Sequence, residues 1–337
     1  MPCTSNVRWS HVVTRRDTME PMSTNGQHRR DSYATITRGL NWDSIPMRLF
    51  QKAKKLGTWD PMAIDLSADR EAWRGFEPLA MDSALRNLAL FQAGEEGVTL
   101  DLLPLIMNVA KRGWIEDEIY LTSFLWEEAK HCEFFRHWLD EVAGGPKDLE
   151  QYITPSYRTL FYEELPAALG ALANDDSNAA LVRAAVTYNM IIEGVLAETG
   201  YYGFRKSMEL DTPQGHLHGL LEGVTLIARD ESRHIRYGVY LIDRLVAEEP
   251  PLWDVMENRM RELLPLAMGV VTEFYEAYEE GSLDEYGLPM EEVAAFSATQ
   301  FDKRMKVLER DRGKKLAEIE AATVTDIEAE EAEPAAV

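Results

Sequence analysis

Two glutamate–histidine pairs with the same spacing are the residues best suited to chemistry in this chain, Glu128 with His131 and Glu231 with His234. Apolar residues recur at helical spacing around each pair, which predicts that each pair lies on an α-helix. Residues three positions apart on a helix share a face, so each glutamate and histidine should point together into the apolar side. Because an unpaired buried carboxylate is costly, each pair is expected to need a compensating charge.

Two single glutamates complete the pattern. Glu95 and Glu193 each interrupt an apolar helical run on a separate predicted helix. A glutamate from each of two helices, with a Glu-x-x-His motif from each of two others, is the ligand set that holds two metals in carboxylate four-helix bundles. One such motif alone is common and usually lies on a solvated face, but the full order favours a dinuclear metal site. The predicted metal ligands are Glu95, Glu128, His131, Glu193, Glu231 and His234.

The chemistry of this ligand set indicates which metals it suits. It contains carboxylates and imidazoles but no thiolate, which favours iron or manganese over a structural zinc. Four carboxylates neutralise two divalent ions, so the reduced site is tolerable inside an apolar bundle. Oxidation adds positive charge, which oxide or hydroxide from dioxygen can balance. The set therefore predicts a centre that reacts with dioxygen.

Asp230, the residue before Glu231, is a candidate for the layer around the ligands. A metal-bound histidine usually donates its other N–H to a carboxylate or a carbonyl. Asp230 is therefore predicted to accept a hydrogen bond from His131 or from the other histidine. The alternative is that Asp230 lies at the surface or caps a helix.

The elements that must position these residues are helices. Helical periodicity, with glycine, proline and asparagine turns between the runs, predicts seven long segments. No segment shows the alternation typical of a strand. We therefore predict an all-α fold, a four-helix bundle core with additional helices. The predicted helices cover residues 76–111, 114–143, 155–173, 178–208, 213–248, 252–280 and 289–310.

Composition predicts a three-part organisation. Residues 1–38 are polar and lack apolar periodicity, so we expect a disordered N-terminal arm there. Residues 39–310 form the predicted helical domain. Glu318 to Glu333 holds seven acidic residues and no Lys or Arg, which predicts an acidic disordered tail over residues 311–337.

Charge and cysteine content narrow the class of protein. The 337 residues carry a formal net charge of -23, which argues against nucleic acid and anionic membrane surfaces as partners. The two cysteines, Cys3 and Cys132, are too few for a disulfide framework, which fits a reducing compartment. The chain lacks an apolar run of about 18 residues and an apolar signal core. We expect a soluble, cytoplasmic protein without stable membrane insertion.

The predicted ligand motifs can be compared with those of a known family. Together with the ligand motifs, five further segments resemble the small subunit of class I ribonucleotide reductase. They are more similar still to its relatives, the ligand-binding oxidases with a mixed manganese/iron centre. The likeness covers roughly Gly39 to Met305 and implies a ferritin-like fold of the reductase small-subunit type. The segments are Gly39-Leu40-Asn41-Trp42, Ala93-Gly94-Glu95-Glu96-Gly97-Val98-Thr99, Glu127-Glu128-Ala129-Lys130-His131, Val186-Thr187-Tyr188-Asn189 and Thr199-Gly200-Tyr201-Tyr202, beside Asp230-Glu231-x-Arg233-His234.

The resemblance implies a division of the ligands between two metals. Manganese would be held by Glu95, Glu128 and His131. Iron would be held by Glu193, Glu231 and His234, with Glu128 and Glu231 in reach of both ions. One ion of each metal is expected, with a di-iron centre as the alternative. The resemblance also implies a bound long-chain fatty acid or similar apolar ligand, dioxygen as co-substrate and a homodimer.

The resemblance further implies an ether cross-link between the Cβ of Val98 and the oxygen of Tyr188, made by two-electron oxidation. Val98 follows Glu95 by three residues and so shares its predicted face. Tyr188 precedes Glu193 by five residues, which on an ideal α-helix places it about 140° away. Spacing alone does not select Tyr188, and its role rests on the resemblance.

Two features distinguish the chain from a reductase subunit. Phe135 stands four residues after His131, where most such subunits carry a radical tyrosine, although some manganese/iron subunits also carry phenylalanine. The last tyrosine is Tyr286, whereas a reductase subunit needs one in its C-terminal tail. We therefore expect a dinuclear oxidase. The alternatives are a reductase small subunit of the phenylalanine type, or a ferritin-like protein that binds iron or lipid without turnover.

Overall fold

The structure is a computed structural model that describes residues 32–145, 148–208 and 216–332. The chain divides into two compact units, Met1–Gly39 and Leu40–Val337. In the described part of the first unit a short helix, α1, spans Ala34–Thr37. Most of the predicted disordered arm lies outside the described residues, so it stays a prediction.

The described part of the second unit is built from helices and contains no strand, which confirms the all-α prediction. Two of the helical runs contain π-helical segments, Thr159–Glu164 and Val186–Ala197. In chain order the α-helices are α2 (Ile45–Leu56), α3 (Ser67–Gly75), α4 (Pro78–Asp101), α5 (Leu103–Lys111), α6 (Ile115–Glu141), α7 (Pro155–Arg158), α8 (Leu165–Ala171), α9 (Asn178–Ala185), α10 (Glu198–Met208), α11 (His218–Glu248), α12 (Leu252–Tyr275), α13 (Met290–Asp311) and α14 (Leu316–Ala332).

Four long helices form the bundle core. α4 packs on α6, and α11 packs on the π-helical segment Val186–Ala197, which joins α9 to α10 in one continuous run. α2 covers the outer side of α6 and α11, and α12 covers the π-helical segment. Each of the four core helices therefore has neighbours on more than one side, which buries polar side chains that face the bundle axis.

The start of α11 is held by a buried aspartate. Asp69, which is fully buried on α3, accepts hydrogen bonds from the backbone N–H groups of Gly219 and Leu220 and from the indole of Trp138. The first N–H groups of a helix lack partners within the helix, so this carboxylate satisfies two of them. A Cβ at Gly219 would lie 2.6 Å from the end of the Leu66 side chain and 3.0 Å from the carbonyl oxygen of Asp65, so glycine allows α11 to start close to this loop. The contact fixes α11 relative to α3 and α6.

The middle of the run from 178 to 208 departs from the expected geometry. Twelve residues, Val186–Ala197, are π-helical, with hydrogen bonds from residue i to i+5 in place of i+4. In such a helix residues five apart are neighbours. Tyr188 therefore lies near Glu193 on one face, and the ideal α-helix assumed from sequence was the wrong reference for this pair.

The predicted helix over 76–111 is two helices in the structure. α4 ends at Asp101, Leu102 caps it, and α5 begins at Leu103 with a proline in its first turn. Proline lacks the N–H that would continue the ladder of a preceding helix. The other predicted helices are found, although the described residues 216–217, before α11, and 276–280, after α12, are not helical.

The acidic C-terminal segment is the clearest correction to the sequence-based prediction. Leu316–Ala332 forms α14 where a disordered tail was expected, so that part of the prediction was wrong. Ile319, Thr323 and Ile327 are buried and recur every four residues, and this narrow stripe packs α14 on α11. Arg310 donates a hydrogen bond to Asp326 at 3.0 Å and holds the same helix. Residues 333–337 lie outside the described residues.

One described stretch, Asn178–Met208, is long and apolar enough to cross a membrane by length and composition. In its most apolar window 83% of the residues are buried inside the protein, and the stretch carries Glu193. We interpret it as a core helix of the bundle.

Candidate metal centre

The six predicted ligands come together from four helical runs. Their ligand atoms form two groups, and within each group the atoms lie within 4.8 Å of one another. Both groups are buried. One group is Glu95, Glu128, His131 and Glu231, and the other is Glu128, Glu193, Glu231 and His234.

Each histidine directs its Nδ1 atom into the carboxylates. Nδ1 of His131 lies 3.3 Å from oxygens of Glu128 and Glu231 and 3.6 Å from Glu95. Nδ1 of His234 lies 3.2 Å from Glu128, 3.3 Å from Glu231 and 3.5 Å from Glu193. Glu128 and Glu231 thus approach both histidines, the arrangement expected of carboxylates shared between two ions.

Unsatisfied polar atoms test whether the residues fit two metals. Buried polar groups are almost always hydrogen-bonded, yet within the described residues five atoms of this cluster have no hydrogen-bond partner. Two metal ions, one in each group, would satisfy all five atoms, and the oxygen and nitrogen donors suit manganese and iron. The cluster is therefore able to bind a dinuclear centre. The five atoms are Oε2 of Glu128, Nδ1 of His131, Oε1 of Glu193, Oε2 of Glu231 and Nδ1 of His234.

Without metal, the cluster holds protons. Burial raises the pKa of Glu95 to about 8, against the opposing effect of His131. Burial and the charge of Glu231 raise the pKa of Glu193 well above its ordinary range. Burial alone would lower the pKa of His131, but hydrogen bonds to Asp230 and to three ligand glutamates raise it well above its usual value. Metal binding must therefore displace protons from these groups.

The other nitrogen of each histidine meets a second carboxylate. Nε2 of His131 lies 3.4 Å from Asp230, and Nε2 of His234 lies 2.9 Å from Glu127. The predicted contact of Asp230 with a histidine is therefore confirmed, and its complete burial excludes the surface alternative. Such partners orient the ring so that the opposite nitrogen faces the metal.

Glu127 was missed from the sequence, although a signal for it exists. An acidic residue precedes the glutamate of each Glu-x-x-His motif, Glu127 in the first and Asp230 in the second. The structure shows that they act crosswise: Glu127 on α6 contacts His234 on α11, and Asp230 on α11 contacts His131 on α6. Recognising the repeat of the acid at this position would have identified Glu127.

A buried layer of charges holds these two acids. Arg233 donates to Glu127 at 2.5 Å and to Asp230 at 2.6 Å. Lys130 donates to Asp230 at 2.8 Å and to the carbonyl oxygen of Gly57 at 2.6 Å. Two carboxylates and two cations are thus paired in the interior, as buried charges require. We call Glu127, Lys130, Asp230 and Arg233 the charged layer.

Trp59 and Gly57 close the charged layer from the outside. The indole N–H of Trp59 donates to Asp230 at 2.8 Å, and its ring stacks on His131 with centroids 6.3 Å apart. A Cβ at Gly57 would lie 2.0 Å from the Glu127 carboxylate, so the end of α2 can cover the layer only with glycine at this position.

The opposite side of the cluster opens on an apolar cavity. The cavity has an empty volume of about 930 Å³, which includes space open to solvent. Among its lining residues the only charged side chains are four glutamates of the metal cluster. Val98 and Tyr188 both line it. Other lining residues are Leu90, Phe91, Phe161, Ile192, Leu196 and Val271.

Tyr188 is tied directly to the cluster. Its hydroxyl donates to Oε1 of Glu128 at 2.5 Å, and its ring is fully buried beside Phe124. Burial raises the pKa of Tyr188 well above its usual value, and the nearby Glu128 and Glu193 charges raise it further. The phenol therefore keeps its proton, with Glu128 as the hydrogen-bond acceptor.

Phe135 is fully buried at the position noted in the sequence, four residues after His131. Its ring stacks on Phe91 with centroids 5.1 Å apart and packs edge-on against Phe134. An aromatic side chain without a hydroxyl therefore occupies this position.

Comparison with known proteins gives a consistent result. The family model for the ribonucleotide reductase small chain matches residues 47–312. Two structures of R2-like ligand-binding oxidases with an aerobically reconstituted Mn/Fe cofactor, a Tyr-to-Phe and a Val-to-Leu variant, are each 37% identical. Each match covers 83% of this chain and 99% of that chain, with a TM-score of 0.77. A Glu-to-Asp variant has the same identity and coverage, with a TM-score of 0.79.

These similarities confirm the ferritin-like fold of the reductase small-subunit type. The similar structures carry a Mn/Fe cofactor, and the buried cluster of this chain is able to bind a dinuclear centre. The predicted manganese/iron cofactor is thereby confirmed.

Proposed function

The chain belongs to the ribonucleotide reductase small-chain family, and we propose that it is a dioxygen-activating oxidase that acts on an apolar ligand. One observation carries the proposal: a buried carboxylate–histidine cluster with unsatisfied ligand atoms borders an apolar cavity. A dinuclear manganese/iron centre supplies dioxygen activation when bound. The protein supplies ligand geometry and a largely apolar chamber.

In this proposal the two metals divide the ligands as the resemblance implies. Glu95, Glu128 and His131 hold manganese. The iron ligands are Glu193, Glu231 and His234, and the two motif glutamates reach both ions. The grouping of ligand atoms around each histidine supports this division.

The apolar ligand is a long-chain fatty acid or a molecule of similar shape. Aliphatic and aromatic side chains line the cavity, and no Lys, Arg or His lines it. An anionic head group can therefore find compensating charge only at the metals, while its chain lies against residues such as Ile192 and Val271. The cavity and the cluster together favour an acid whose carboxylate faces the metal ions.

Oxidation within the protein would join Val98 to Tyr188. The Val98 Cβ–H bond and the Tyr188 O–H bond break, a C–O bond forms, and two protons and two electrons leave. Dioxygen is the oxidant; its reduction to two waters takes these two electrons and two protons, one further electron from each divalent metal and two protons from solvent. Both residues line the cavity beside Glu128, and Glu128 already accepts the hydrogen bond from the phenol that loses its proton.

Oxygen uptake tests the proposed activity. Protein loaded with Mn(II) and Fe(II) under nitrogen should consume dioxygen in proportion to its metal centres when it is mixed with aerated buffer. The Tyr188→Phe variant should bind both metals and form no cross-link, because it lacks the phenolic oxygen. Metal-loaded protein that consumes no dioxygen would contradict the oxidase proposal.

The cavity ligand can be tested separately. Solvent extraction and mass spectrometry of purified protein should release a long-chain acid. Gly203 lines the cavity, and a Cβ there meets only Leu288, at 3.7 Å. Gly203→Leu should therefore fold, bind two metals and lose the acid. Gly170→Leu on α8, away from the cavity, is the matched control and should retain it.

A reductase small subunit is the second candidate, and two observations weigh against it. Phe135 stands where most such subunits carry a radical tyrosine. The C-terminal α14 also packs back on α11. Support of nucleotide reduction by a large subunit would restore this candidate. A metal store without turnover predicts iron uptake far above two ions per chain and a many-subunit cage, which iron titration and gel filtration detect.

Two further expectations concern the oligomeric state and the cellular location of the protein. We propose a homodimer, by analogy with the family, in the cytoplasm. Sedimentation equilibrium measures the assembly, and fractionation of the source cells measures the location. A monomer or a secreted protein would contradict these two statements without affecting the metal site.

A further inference from the structure

The two proposed metal sites have ligands of the same chemical types. Each contains one histidine, one glutamate of its own and the two shared glutamates, Glu128 and Glu231. Ligand type alone therefore gives no reason for the sites to hold different metals. Any preference of a site for one metal must therefore come from the residues around its ligands. In the charged layer, these residues place different formal charges next to the two histidines.

The two carboxylates behind the histidines lie at different distances from the Nε2 atoms that they face. Nε2 of His234 lies 2.9 Å from Glu127, whereas Nε2 of His131 lies 3.4 Å from Asp230. A donor–acceptor distance near 2.9 Å is typical of a well-formed hydrogen bond, and 3.4 Å is beyond the usual range. The carboxylate of Glu127 therefore polarises its histidine more strongly.

The acceptors are also unequal in available charge. The Asp230 oxygen that faces His131 also accepts from the Lys130 ammonium and from the Trp59 indole, each at 2.8 Å. The Glu127 oxygen that faces His234 has no other hydrogen-bond donor among the described residues. Arg233 contacts the remaining oxygen of both acids, so it does not distinguish them. Lys130 is the cation that does.

We propose that Lys130 and Glu127 sort the two metals by making His234 a stronger donor than His131. A histidine that shares its N–H with a carboxylate becomes a more basic ligand. Iron(II) binds nitrogen and oxygen donors more tightly than manganese(II), so the His234 site selects iron and leaves the His131 site to manganese. The inference rests on the proposed dinuclear site and deepens it. Lys130 and Glu127 are positioning residues that act through the histidines.

One further difference between the sites is smaller. Glu193 accepts a hydrogen bond from the neutral amide of Asn189 at 2.8 Å, while no amide contact to Glu95 is found among the described residues. The ammonium of Lys130 brings a full positive charge to its acceptor, whereas the amide of Asn189 brings only a dipole. The ammonium of Lys130 is thus expected to outweigh the amide.

The test is metal sorting under nitrogen with equimolar Mn(II) and Fe(II). Anomalous scattering at the two absorption edges gives the occupancy of each metal in each site, and elemental analysis gives the total. Wild type should hold iron beside His234 and manganese beside His131. Lys130→Met removes the ammonium from Asp230, so His131 becomes a stronger donor and the iron share of its site should rise severalfold. Lys130→Gln, which keeps a neutral donor, should give an intermediate share.

Glu127→Gln is the reciprocal variant. It keeps the shape and an acceptor oxygen but removes the negative charge behind His234. Iron affinity in that site should fall by about 10-fold or more, as for other changes in residues that orient metal ligands, and manganese should enter it. The Fe(III)/Fe(II) potential of the site, measured by spectroelectrochemistry, should rise because the weaker donor stabilises the ferric ion less.

Asp117→Asn is the matched control. Asp117 is a buried carboxylate on the same helix, α6, bonded to Tyr237 and close to Arg244 but to neither ligand histidine. Asp117→Asn should leave the distribution of the two metals between the two sites unchanged. Wild-type sorting in Lys130→Met and Glu127→Gln, with two metals bound, would overturn the inference and leave the proposed site intact, as would an equal shift in the control. Failure of wild type to bind two metals would instead overturn the proposed function.

Discussion

The two sides of the metal cluster are built on opposite principles. Behind the histidines, the charged layer pairs two acids with two cations. On the other side, the ligand atoms that converge on one another lack hydrogen-bond partners, and the four glutamates among the ligands also line the apolar cavity. A paired buried layer fixes the positions of its members, whereas unsatisfied atoms are available to bind something else. The charged layer therefore positions the histidines, and the ligand atoms without partners form the reactive part of the site.

The difference also explains why the chain buries so much charge. An ion pair in a protein interior adds little net stability, but loss of one partner is strongly destabilising. The charged layer therefore holds the histidines in one geometry at little net gain in free energy. The cavity side tolerates four carboxylates only when protons or metals neutralise them.

The largest effect should follow loss of a ligand from the reactive side. Glu128→Ala or His234→Ala removes a ligand from a closed set of six, so binding of two metals per chain should be abolished. Glu133→Ala, an exposed glutamate on the same helix, is the control and should bind both. Elemental analysis after desalting measures the stoichiometry, and two metals in either ligand variant would refute the site assignment.

Removal of Arg233 should break the positioning side. Arg233→Leu leaves two buried carboxylates short of a cation, so the free energy of unfolding of the metal-free protein should fall by about 3–5 kcal/mol. Arg261→Leu, which breaks an exposed pair with Glu257, should cost less than about 0.5 kcal/mol. Urea denaturation measures both. Similar values for the two variants would show that loss of Arg233 does not leave an uncompensated buried charge.

Acidity should weaken metal binding on the reactive side. The pKa of Glu95 is raised to about 8 by burial, so below pH 8 the metal must displace a proton from this carboxyl, while above pH 8 it need not. Apparent affinity should therefore rise by about tenfold per pH unit up to 8 from this group alone. The raised pKa values of His131 and His234 act in the same direction. Proton release during anaerobic titration measures the effect; pH-independent affinity between 6 and 8 contradicts it.

The smallest effect concerns the outer edge of the charged layer. Trp59→Phe removes one neutral hydrogen bond to Asp230 and keeps an aromatic ring beside His131. Because Asp230 retains its cationic donors, the loss should be only about 1 kcal/mol of unfolding free energy, with both metals still bound. A loss as large as that of Arg233→Leu would show that Trp59 positions the layer rather than covers it.

The clustering of the six predicted ligands could be foreseen from sequence because their spacing is local. A Glu-x-x-His motif on an apolar stripe can be recognised from the period of an α-helix alone, and the two motifs identified four of the six predicted ligands directly. Glu95 and Glu193 required only the knowledge that a bundle supplies two further carboxylates. These predictions depend on the helix that carries each residue and not on the packing of distant ones.

Other features depend on packing between helices and were not readable in the same way. The π-helical geometry that brings Tyr188 beside Glu193 has no simple sequence signal. The crosswise contact of Glu127 with His234 arises between α6 and α11. The apolar stripe of α14 is not evident in the sequence because acidic residues surround it, and the three buried residues described in 316–329 suffice to dock it on α11.

We propose that the cluster oxidises a C–H bond at the cavity wall. Protein loaded with manganese and iron, exposed to air and digested should be mapped by mass spectrometry for the peptides that contain Val98 and Tyr188. We expect one joined species whose mass is the sum of the masses of the two peptides less two hydrogens. Both peptides free, in protein that holds two metals, would contradict the claim and favour a reductase subunit or a metal protein without turnover.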